Sequence, residues 1–210
     1  MSFPSPPEPF PAPLHELLPE GSTLFRVHPQ TLHGKRTPGN LFNPGIGPAS
    51  RWAFFGVPVV PMLYAGETPE AAVFEAILHN RVPGEEIPAR HWQSMVMTTL
   101  RTERALEMAV FHSDGLRRYG LHTRDLTGTP VSTYVDTVRW AEAVHDNTEL
   151  DGVVWMARQF NRHRAQVFFG DRVEPDDLRP VDDVARDYLV PNDAEWLKAL
   201  ADRIDVTMLG

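Results

Sequence analysis

The stretch that decides the reading is Leu63-Tyr64-Ala65-Gly66-Glu67-Thr68-Pro69-Glu70-Ala71-Ala72-Val73-Phe74-Glu75. Met62 to Ala65 reads as a short apolar strand that stops at Gly66. Thr68 stands where an N-cap hydroxyl belongs. Pro69 suits the first helical position, where a backbone N–H would go unbonded anyway. The segment predicts a strand-to-helix junction, with helical spacing running from Pro69 to Asn80. At three and four residues from Glu75 lie Ala71, Ala72, Leu78 and His79, so the acid sits on a mostly apolar stripe. Such a carboxylate either keeps its oxygens in solvent at the edge of the buried face or points into a cleft where its charge is used. Helical position alone leaves both readings open, and the solvated one is the commoner.

Upstream, Thr23 to His28 predicts a strand with Phe25 and Val27 on one face and Arg26 on the other with Leu24 and His28. Arg26 either lines a cleft or faces water. Arg51 to Phe55 is read as a further short strand, followed by Trp92 to Leu100 and Leu106 to Phe111. Downstream come a weak helix at Asp114 to Tyr119, a stronger one at Ser132 to His145, strands at Gly152 to Ala157 and Ala165 to Phe169, and a last helix at Glu195 to Ile204. Asp171 to Asp187 is rich in Asp with interspersed Pro and Arg and reads as a solvated connection. Without a regular βαβα alternation, this order favours an α+β domain over a doubly wound sheet. Residues 1 to 13 carry six prolines, so positions 1–18 are expected to form a flexible arm and 19–210 a single domain.

Composition removes several classes of chemistry. With no cysteine there is no thiolate nucleophile, disulfide or Cys-containing zinc site. The nine histidines never take an HExxH-like spacing, so no metal is assigned, and the glycines form no phosphate loop. A net charge of −8 argues against nucleic-acid coating and fits a basic protein partner or simple solubility. No secretory or membrane-spanning pattern is recognisable, and a cytoplasmic protein is expected. Trp52, Trp140 and Trp155 read as core residues, and Arg162-His163-Arg164 as a solvated turn.

Taken together, Leu24-Phe25-Arg26-Val27, then Phe42-Asn43-Pro44 with Arg51-Trp52, then Leu63 to Ala72 ending in Glu75, then Asp125-Leu126-Thr127, Trp140-Ala141 and Asp151-Gly152-Val153-Val154-Trp155 form an ordered set. In this order and spacing the chain resembles the RES-domain proteins, toxins named for an Arg, a Glu and a Ser. The resemblance implies an ADP-ribosyltransferase-like fold, a split mixed sheet with flanking helices around an NAD cleft. It also implies NAD as substrate and cleavage of the nicotinamide–ribose bond by water or phosphate. By position, Glu75 is the implied catalytic carboxylate, Arg26 the phosphate or ribose clamp and Tyr64 the ring against nicotinamide, with Arg51 and Arg158 as further NAD-binding candidates. The implied partners are a helical DNA-binding antitoxin and further toxin chains in an oligomeric complex.

This chain departs from the family at the serine, where Ala157 stands. Ser132, Thr133, Arg158 or Gln159 is expected to compensate. Otherwise the protein is a weaker enzyme or an NAD-binding module. Transfer of ADP-ribose to a protein is the other enzymatic alternative.

Overall fold

The computed structural model describes residues 3–158 and 160–210. Among them the chain forms a nine-stranded mixed sheet with four α-helices. The strands are β1 (His15–Leu18), β2 (Thr23–Pro29), β3 (Met62–Gly66), β4 (Met95–Thr102), β5 (Leu106–Val110), β6 (Gly152–Met156), β7 (Arg164–Phe169), β8 (Leu178–Pro180) and β9 (Arg186–Asp187). Their order is β1-β5-β6-β7-β3-β2-β4-β8, and β9 also pairs with β4. Only β5 and β6 run parallel; the other pairs are antiparallel. The helices are α1 (Pro69–Ala76), α2 (Ser113–Arg117), α3 (Tyr134–Asn147) and α4 (Pro191–Asp202).

Side-chain alternation along the strands sorts the core into two faces. On one face, Met62, Trp155 and Val167 pack with Trp140 of α3, while Met97 packs with α1 and α4. On the other, Leu24, Leu63, Met108 and Phe168 are covered by loop residues such as Phe42 and Val173. Helices thus cover one face and loops the other, an α+β architecture that fits the ADP-ribosyltransferase-like fold implied by the resemblance. The sheet is also split. β2 is paired with β3 only through Phe25 opposite Gly66, and Asn43 takes over as the neighbour of β3, exchanging two backbone hydrogen bonds with Met62.

Three expectations need correcting. Arg51 to Phe55 is not a strand but a turn with an isolated bridge between Ser50 and Ala53. Trp52, Ala53 and Phe55 are all buried, so the segment tucks under the core without the alternation of a strand. Asp171 to Asp187 is not merely a solvated connection: it supplies β8 and β9, which cover the outer edge of β4, with Leu178 fully buried. The arm is not free either. Phe3 and Phe10 pack on the helix-side core, Phe10 stacks on Tyr119 at 5.3 Å, the Trp140 indole donates to the Pro4 carbonyl at 2.9 Å, and the Tyr119 hydroxyl donates to Pro11 at 2.9 Å. Aromatic rings supply the apolar contact that a proline-rich segment lacks within itself. Beyond it β1 joins the sheet, so the ordered core begins well before Pro19. Among the described residues, no helix is long and apolar enough to cross a membrane.

Candidate active site

The junction forms as its residues dictate. The Thr68 hydroxyl accepts from the Ala71 N–H at 3.2 Å, and Pro69 opens α1. A Cβ at Gly66 would lie 2.5 Å from the backbone nitrogen of Ala72, so only glycine lets the helix start directly on the strand end. The small Ala71 and Ala72 complete that close approach, both buried. The result brings Glu75 to the side of β3 that carries Tyr64.

Glu75 is not a solvated helix acid. Its Oε1 accepts from the Arg158 backbone N–H at 2.7 Å and faces the Trp155 indole N–H at 3.4 Å. Burial raises its pKa, while the Arg158 amide, the Arg51 charge and the indole pull the other way. Tyr64 ends in the same space. Its hydroxyl bonds Ser50 Oγ at 2.8 Å and accepts from the Trp52 N–H at 3.1 Å, and its ring meets Trp155 edge-on at 6.0 Å. Burial pushes the phenol pKa up, so it stays protonated.

Arg51, 3% exposed, donates to Leu126 O at 2.9 Å and Thr129 Oγ1 at 2.8 Å, and lies 5.1 Å over the Tyr134 ring. Burial lowers its pKa, and the charge of Glu75 partly restores it. Arg158 adds its backbone donor and a buried Nη1 that has no hydrogen-bond partner. His79 is stacked on Tyr134 and hydrogen-bonded to its hydroxyl. Burial and the charges of Arg51 and Arg158 lower its pKa to about 4, so it is neutral at pH 7.

These groups surround a cavity of about 430 Å³ lined by Ser50, Arg51, Tyr64, Glu75, His79 and Tyr134, with Asn43, Ile46 and Phe54 among its walls. It has the size of a small-ligand site with a few convergent polar groups. A buried carboxylate held by a backbone amide, near a guanidinium and an unpaired second one, can stabilise a developing cation while holding an anion.

The structure brings Glu75, Tyr64 and Arg51 together at the cavity, with Arg158 adjoining Glu75. It does not bring Arg26 there. Arg26 alternates with Phe25 and Val27, which adjoin Glu75, and so points to the opposite face of β2. Its Nη1 donates to Gly39 O at 2.7 Å and Leu41 O at 2.6 Å, and burial lowers its pKa to about 10. The expected clamp is therefore a tie for the loop before Asn43, and Arg51 supplies the cation near the carboxylate.

Ala157 is fully buried beside the Arg158–Glu75 contact and offers no hydroxyl. Ser132 is exposed, and the Thr133 hydroxyl is bonded to Pro130 O, so neither replaces the serine. Gln159 lies outside the described residues. The hydroxyls in the cavity belong to Ser50, Tyr64 and Tyr134. Ser50, His79, Tyr134 and Asn43 were not legible as site residues. His79 alone carried a signal, lying four residues after Glu75 on the same helical face.

No curated protein and no solved structure matches the chain. A family model described as the RES domain covers residues 23–189. That span holds Arg51, Tyr64, Glu75 and the Ala157–Arg158 turn, and the chain belongs to the RES-domain family.

Proposed function

We propose that the cavity binds NAD and that the protein cleaves the nicotinamide–ribose bond, as a toxin held in check by a helical antitoxin. One observation carries the reading: a buried Glu75 carboxylate with Oε1 fixed by the Arg158 amide, opening on a cavity that also holds Arg51 and Tyr64. Departure of nicotinamide builds positive charge on the ribose, and a fixed carboxylate stabilises that charge without reorganising. Arg51 and Arg158 balance the negative pyrophosphate, and the Tyr64 ring offers an apolar surface for nicotinamide. Water or phosphate then takes the ribose carbon. Exposed Ile46 and Val131 at the cavity wall suit a partner that covers the opening.

A second reading, NAD binding without turnover, is favoured by Ala157, since a hydroxyl near Glu75 is missing. Nicotinamide release, measured with and without phosphate on protein freed of any partner, separates the two. Calorimetric NAD binding with no release supports the binding module. Label from adenylate-tagged NAD on a macromolecule identifies transfer to protein, and neither binding nor release refutes the proposal.

A further inference from the structure

On the loop-covered face of the sheet, away from Glu75, a cavity of about 260 Å³ lies between β1, β2 and β7. That is roughly the share of liquid volume of eight or nine waters. Gln166 of β7 lines it and is 3% exposed, yet its Oε1 is buried without a hydrogen-bond partner. An unsatisfied buried carbonyl of this kind is rare, because it forfeits its hydration with nothing in return. It requires a donor that the chain does not supply.

The other polar groups of the cavity define that donor. Glu16 and Glu67 line it, and the only cation facing them from the lining is Arg164, whose guanidinium is bonded to Glu16 at 2.9 Å. Glu67 takes only the Arg164 backbone N–H at 3.1 Å, with His163 3.9 Å away at the rim. His112 faces Glu16 at 3.7 Å, and burial lowers its pKa, so it adds little charge. Two carboxylates against one guanidinium leave one negative charge unanswered. Leu24, Met108 and Val154 are buried and give the cavity an apolar wall.

We propose that this cavity binds a small primary alkylammonium cation, its N–H donors on Gln166 Oε1 and the Glu67 carboxylate and its methylenes on the apolar wall. An ammonium presents three donors, matching an unpaired carbonyl and a half-used carboxylate.

The test is calorimetric titration of the full chain with n-butylamine and with uncharged n-butanol as its isostere. Saturable butylamine binding, at least about tenfold tighter than butanol, is expected. Gln166→Leu and Glu67→Gln should each weaken it about tenfold, while Glu75→Gln leaves it unchanged. Glu67 is half-exposed, so its variant carries the test if Gln166→Leu fails to fold. No saturable binding, equal affinity for butanol, undiminished affinity in folded Glu67→Gln, or loss of binding in Glu75→Gln each overturns the proposal.

Discussion

Replacing Glu75 by Gln should make the protein more stable at neutral pH, and the gain should grow as pH rises. Burial raises the pKa of Glu75, so the folded state resists ionisation of this group more than the unfolded chain does. Between the unfolded carboxylate value of about 4.3 and the raised folded value, the folded protein binds more protons than the unfolded one. Wild-type stability therefore falls as pH rises through that window and stays lowered above it. Gln keeps an Oε1 to accept from the Arg158 amide and the Trp155 indole but carries no charge. Each unit of pKa shift corresponds to about 1.4 kcal/mol, which sets the scale of the difference. In a domain of this size 1 kcal/mol moves the melting temperature by about 2–4 °C. Urea unfolding followed by tryptophan fluorescence at pH 4 and pH 8, on both proteins, reads the effect directly. Stabilities that differ equally at both pH values, or a variant weaker than wild type at pH 8, refute the reasoning that Glu75 is strained by burial.

Arg26→Met should cost about 2 kcal/mol of stability through the lost bonds to Gly39 and Leu41, leaving nicotinamide release per folded molecule within about threefold of wild type. A hundred-fold loss of kcat/KM in well-folded protein places Arg26 in the site after all. Ala157→Ser restores a hydroxyl beside the Arg158–Glu75 contact, and kcat/KM for NAD should rise about tenfold or more, as a charge-assisted hydrogen bond of 1.5–3 kcal/mol allows. An unchanged rate means that this hydroxyl position is idle. His28 and His79, both held to a pKa of about 4 by burial, are neutral in the fold, whereas the unfolded chain takes up a proton below about pH 6.5. Their stabilising effect is full above pH 6.5 and is lost as pH falls towards 4. His28→Gln should flatten the decline in urea midpoint over that range, and an unchanged slope contradicts it.

What the sequence made legible was local chemistry. The Thr68–Pro69 cap and the period of α1 place Glu75, and strand alternation sorts the two faces of the sheet. What stayed hidden depends on contacts distant in sequence. Whether Glu75 is solvated turns on the Arg158 amide, 83 residues away. Arg51 reaches the cavity because its loop is pinned by Leu126 and Thr129, not because it lies on a strand. Arg26 was read correctly as facing away from Phe25 and Val27, but alternation cannot say which sheet face holds the cavity. The docked arm escaped notice because its anchors are Tyr119 and Trp140, more than a hundred residues on. A proline-rich segment has no periodicity of its own to reveal them.

The most direct test of the central claim is nicotinamide release from NAD by partner-free protein, wild type against Glu75→Gln, with the variant shown by its unfolding curve to be folded. The account predicts release by wild type and a loss of at least a hundred-fold in the variant, with NAD binding retained. A folded Glu75→Gln that releases nicotinamide at the wild-type rate contradicts it.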